Sequence, residues 1–139
     1  MVDEAELKPL KDMLDYSDAQ WETWKNNPNN LKMAENLKDY SKYKIIAEVT
    51  NSSGCAAGHR VGDKFVYAGA SLLCKENPER ICSYLLDTMN PFVRSVFANL
   101  ASGVDVTHMA TKAHCPDVGV ENGGWGEVIV EMRVEKAQE

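Results

Sequence analysis

No run of apolar residues in the 139-residue chain approaches the roughly 18 that a bilayer-crossing helix needs, so no membrane association is expected. Positive charge is also scarce: 15 Lys and Arg against 21 Asp and Glu leave a formal charge of −6. Nucleic acid, which is gripped through clustered Lys and Arg, is therefore not an expected partner. None of the four cysteines forms a C-x-x-C pair, which argues against a zinc ribbon or a ferredoxin run. Internal repeats and low-complexity tracts are missing as well. The opening Met1-Val2-Asp3-Glu4-Ala5-Glu6 is acidic where a signal peptide is basic and then apolar, so a cytoplasmic protein is expected. In that reducing compartment four cysteines read as thiols, metal ligands or redox groups rather than a disulfide framework. The remaining composition, 44% hydrophobic and 26% charged, is that of an ordinary globular chain with one hydrophobic core.

Period and punctuation divide the chain into a helical arm, residues 1–40, and a domain, residues 41–139. Leu7, Leu10, Met13 and Leu14 have helical spacing. Ser17-Asp18-Ala19-Gln20 has the form of a capping box, opening a segment with Trp21 and Trp24 on one side. Asn26-Asn27-Pro28-Asn29-Asn30 reads as a break, and a third helix is expected over residues 31–40. The tryptophans are expected to pack on the domain or on a second subunit, so the arm suggests a homo-oligomer or a partner protein. From Tyr43 the period becomes two: Tyr43, Ile45, Ala47 and Val49 face one way, predicting a half-buried strand. A loop to Asp63 leads into a second strand, Lys64–Ala68, and residues 69–77 read as a connection holding Cys74. Asn77 as N-cap and Pro78 as first helical residue predict a helix from Pro78, interrupted at Asn90-Pro91 and resuming through Leu100. A short strand near Thr111–Cys115 and a final strand through Val128, Val130, Met132 and Val134 complete the pattern. The expected class is α+β, a small antiparallel sheet packed against a broken central helix, with an N-terminal helical arm.

Three of the cysteines sit in distinctive contexts: Cys55-Ala56-Ala57-Gly58-His59-Arg60-Val61-Gly62-Asp63, then Pro78-Glu79-Arg80-Ile81-Cys82, then Cys115-Pro116-Asp117. This order resembles C-x-x-G-H-x-x-G-D … P-x-x-[IL]-C … C-P-D, the pattern of a family of small uncharacterised conserved bacterial and archaeal proteins. The likeness covers roughly residues 43–135 and leaves out the arm and Cys74. It implies a shared fold and cysteine constellation rather than a particular reaction.

Three thiols beside loops, a helix start and a proline are candidates to converge on one metal. Thiolates are soft ligands suited to zinc, Cu(I) or an iron–sulfur cluster. With Cys55, Cys82 and Cys115 as ligands, the fourth position falls to His59, Cys74, water or a small-molecule substrate, and an open position would mean Lewis-acid chemistry. His114 is a poorer ligand because neighbouring strand residues point to opposite faces. A metal-free alternative makes Cys82 a nucleophile near a helix N-terminus, with His59 as base and Asp63 or Asp117 orienting it. A third reading is a non-catalytic subunit or binding module with structural cysteines, in which Asp63 and Asp117 are turn residues.

Overall fold

The alternation that begins at Tyr43 builds the middle of a sheet. In the computed structural model, which describes residues 2–73, 75 and 78–136, β1 (Tyr43–Ser53) pairs on one side with β2 (Lys64–Ala68) and on the other with β5 (Glu127–Lys136). The stretch read as a plain connection after β2 contains a two-residue strand, β3 (Ser71–Leu72), and β4 (Ala110–His114) borders β5. Among the described residues, five antiparallel strands thus stand in the order β3-β2-β1-β5-β4. Ile45, Ala47 and Val49 face the core with Phe65 and Tyr67 of β2 and Val128, Val130, Met132 and Val134 of β5. Ala47 lies between Phe65 and Met132 in register, a small side chain between two large ones. The β1–β5 ladder slips between Val49 and Asn51, and this bulge resets the alternation just before the loop that carries Cys55.

The core face is covered by α4 (Ser83–Ala101), whose Leu85, Met89, Val93, Val96 and Leu100 recur at helical spacing and are buried. The expected α+β class, antiparallel sheet against helix, is what forms. Two details of the helix differ from expectation. It runs unbroken through Pro91, because the apolar stripe packs on the sheet on both sides of the proline and outweighs one missing N–H. It also begins at Ser83 rather than near Pro78, with Cys82 as an extended N-cap residue (φ −65°, ψ 125°). The expected cap, Asn77, lies outside the described residues. A tertiary bond from the Cys82 amide to the His59 ring takes precedence over the local helix-start signal.

The arm is three helices: α1 (Glu4–Leu14), α2 (Asp18–Lys25) and α3 (Pro28–Leu37). The capping box forms as read, Ser17 Oγ accepting the Gln20 N–H and Gln20 Oε1 the Ser17 N–H. The asparagine-rich stretch read as a break is instead the start of α3, with Asn27 as cap and Pro28 in the first turn. Trp21 is buried, but its ring stacks on Trp24 at 5.1 Å and meets Tyr16 at 6.5 Å, so this pair covers itself within the arm. Contact with the domain runs through the third helix and the short segment leading from it into β1. Asn36 Nδ2 donates to the Ala101 carbonyl at 2.8 Å, Leu37 packs on the core, and Tyr40 meets Phe97 edge-on.

Pro91 is solvent-exposed, so Pro91→Ala should restore a helical N–H without filling any space, raising stability by about 1–3 kcal/mol. Urea denaturation checks this; an unchanged or lower midpoint would show that Val93 and Val96 need a bend at Pro91 to reach the sheet.

Candidate functional site

The loop between β1 and β2 folds back on the end of β1. Val49 N–H donates to the Asp63 carbonyl at 2.8 Å, Gly62 N–H to the Val49 carbonyl at 2.9 Å, and Ser52 Oγ to the His59 carbonyl at 2.6 Å. These bonds press the His59 ring into the molecule, where it is 4% exposed and stands edge-on to Phe65 at 5.2 Å. Its Nε2 accepts the backbone N–H of Cys82 at 3.1 Å. An amide can only donate, so Nε2 carries a lone pair and the ring proton sits on Nδ1, which faces Asp63 Oδ2 at 3.8 Å. Burial pushes the His59 pKa below 6.5, with the Asp63 charge opposing part of that shift. His59 is thus a neutral acceptor that anchors the start of α4.

Cys115 follows β4 and continues its pairing with β5. Its N–H donates to the Val128 carbonyl at 2.9 Å, and the Val128 N–H donates back to Cys115 Sγ at 3.2 Å. The thiol therefore holds a directed backbone hydrogen bond. Next in the chain, Asp117 gathers the loop from 117 to 126: Oδ1 accepts the N–H groups of Gly119 and Trp125 at 2.9 and 3.0 Å, and Oδ2 that of Gly126 at 3.2 Å. These bonds, led by Gly119, hold its carboxyl below the usual range. The carboxylate is spent on its own loop, and it is Asp63 that faces the His59 ring.

Two glycines close the end of the sheet. A Cβ on Gly126 would stand 2.1 Å from the Ser53 carbonyl oxygen, and one on Gly54 would stand 2.5 Å from that of Trp125. Only bare backbone fits here, and Gly54 also holds a left-handed φ of +64°. This contact brings the Cys55 loop against the Trp125 turn.

Together the three segments enclose a cavity of about 350 Å³, at the small end of the range for ligand sites. Cys55, Cys82 and Cys115 all line it, with His59 and Asp117, so residues far apart in sequence meet there. All three are free thiols and partly buried. Among the described residues, no three His, Cys, Asp or Glu side chains are arranged to hold a metal ion as they stand. Cys74 lies outside the described residues. His114 is on the exposed side of β4, paired with Glu127 at 3.3 Å; hydrogen bonds to the Cys115 carbonyl and to Glu127 raise its pKa. Sequence reasoning assigned no site role to Tyr84 or Trp125, which also line the cavity. Their signal was available in Trp125, a large aromatic set between glycines in a stretch that shows no apolar period.

Two outcomes are expected from these bonds. Protonating His59 would turn the acceptor of the Cys82 amide into a second donor. Because the folded pKa lies below the unfolded 6.5, the stability that neutral His59 contributes is complete above pH 6.5 and is lost as the pH falls through that value toward the lowered one. The denaturation midpoint of the wild type should thus fall more steeply between pH 7 and 5 than that of His59→Gln; His114 is common to both proteins and cancels in the comparison. Parallel curves would show that folding leaves the His59 pKa where it is in the unfolded chain. Gly126→Ala forces a methyl onto backbone and should cost about 2 kcal/mol or more, measured as a lowered urea midpoint, while Gly58→Ala, where nothing lies within 4 Å, should cost less. No protein-family model, curated protein or solved structure matches the chain, and the function is therefore read from the cavity itself.

Proposed function

We propose that the cavity is a three-thiol site in which Cys55, Cys82 and Cys115 hold a zinc ion or an iron–sulfur cluster, with one position left for a small molecule. The observation that carries this reading is the convergence of the three cysteines, supplied by three separate segments, on one small cavity. The donor set suits a soft metal, since the thiols are its uncommitted donors: His59 Nε2 is occupied by the Cys82 amide, the Asp117 oxygens by the backbone of their loop, and the Glu127 oxygens by Asn51 and His114. Each thiol can swing among three staggered χ1 positions, and binding would draw the sulfurs inward from where they now stand. The Val128 N–H at Cys115 and the positive end of the α4 dipole beside Cys82 both offset the negative charge that bound thiolates bring. When bound, such a group supplies Lewis acidity or electron transfer at its open position.

The metal-free reading, with His59 as base for Cys82, is less well supported. The lone pair that would take the thiol proton already receives the Cys82 N–H, and burial lowers the basicity of the ring. The occupied nitrogen also tells against His59 as fourth ligand.

Purification without oxygen followed by elemental analysis tests the proposal. About one zinc, or a cluster's complement of iron and sulfide, should be found per chain, and Cys55→Ser, Cys82→Ser and Cys115→Ser should each lower the content at least tenfold after mild chelation. Binding of Cd²⁺ to apo protein, followed by its thiolate charge-transfer absorbance, should be lost in the same three variants. Metal-free protein that binds no Cd²⁺, or content indifferent to the three substitutions, would falsify it.

A further inference from the structure

The cavity is lined by two large aromatic side chains that are largely exposed. Trp125 is 74% exposed and Tyr84 69% exposed, yet both line the cavity. Both are mounted firmly. The Trp125 N–H is held by the Asp117 carboxylate and its carbonyl is pressed against Gly54, while Tyr84 stands in the first turn of α4. The two rings make no stacking contact with each other, whereas Trp21 and Trp24 stack together with the Lys25 ammonium 5.9 Å from the Trp21 ring. Trp21 has its cation already; Trp125 and Tyr84 are exposed and line the cavity.

Charge at the site selects between guests. The charged residues lining the cavity are Asp117 and Glu127, and among the described residues no lysine or arginine lines it. Asp117 is satisfied by backbone N–H groups, and Glu127 is shared with Asn51 and His114, so neither carboxylate is neutralised by a fixed Lys or Arg. The chain as a whole carries −6. An anionic guest such as a phosphate or carboxylate would find no lysine or arginine in the lining to pair with, and Asp117 and Glu127 beside it. A cation would find two ring faces, and cation–π attraction is strongest at tryptophan. Ala56, Ala57, Leu85, Pro116 and Val128 make the rest of the lining apolar.

We infer that the cavity binds a small organic cation with an apolar body, its charged head held between Trp125 and Tyr84. This deepens the three-thiol reading, on which it rests only in taking the same cavity as the working site. The aromatic mouth selects the guest, and the thiols lie beneath it.

Calorimetric titration of the full chain with three probes of one shape tests the inference: benzyltrimethylammonium, benzyl alcohol and phenylacetate. The cation should bind saturably and at least tenfold more tightly than phenylacetate, with the alcohol between them. Trp125→Ala and Tyr84→Ala, both at exposed positions, should each weaken the cation about fivefold or more, and Trp125→Phe should retain part of the binding. The inference is overturned if the cation does not saturate, if phenylacetate or the alcohol binds as tightly, or if both alanine variants leave its Kd unchanged. A triple Cys55→Ser, Cys82→Ser, Cys115→Ser variant separates the two readings. Cation binding that persists there while wild-type protein proves metal-free sinks the metal and keeps the mouth; metal retained in wild-type protein without cation preference does the reverse.

Discussion

A single hydrogen bond, from the Cys82 amide to the buried Nε2 of His59, joins the loop after β1 to the start of α4. Everything around the cavity depends on that junction. It draws Cys82 into an extended N-cap conformation, so the helix starts at Ser83 and Cys82 lines the cavity with Cys55 and Cys115 instead of riding one turn up the helix. It sets the tautomer of His59, whose Nε2 lone pair is taken up by the backbone at the start of α4. Losing such an acceptor would leave a partly buried amide unpaired, at a cost of about 1–3 kcal/mol.

Much of the framework was legible in the sequence because it is local. The alternation in β1 and β5, the Ser17–Gln20 capping box and the apolar stripe of α4 are each written within one element, and each forms. What was not legible is tertiary. The sequence cue at Pro78 is a sound helix start taken alone, but the His59 acceptor competes for the backbone one turn later. Pro91 reads as a breaker, yet burial of Met89, Val93 and Val96 against the sheet carries the helix through it. The tryptophans of α2 could be read as packing residues, but nothing in the pattern shows that Trp21 and Trp24 stack on each other.

The site was partly legible in the same way. Cys55, Cys82, Cys115, His59 and Asp117 could be picked out as a set, and all line the cavity, but their individual roles come from hydrogen bonds that no spacing reveals. Asp117 ties down the turn that presents Trp125, and the Gly54–Gly126 contact fixes that turn against the Cys55 loop. Tyr84 and Trp125 were given no place in the site because exposed aromatics carry no periodic signature, although the glycines around Trp125 mark its turn.

The central claim is that three thiols from separate segments face one space small enough for them to act on a single guest. Arsenite tests it most directly, because one As(III) condenses with three thiols at a single centre, releasing three waters. In a Cys74→Ser background, one equivalent of arsenite should consume Cys55, Cys82 and Cys115 together in the folded protein, seen as the loss of all three from thiol titration and a mass increase of one arsenic per chain. Folded protein that keeps two or three titratable thiols under the same conditions would contradict the claim.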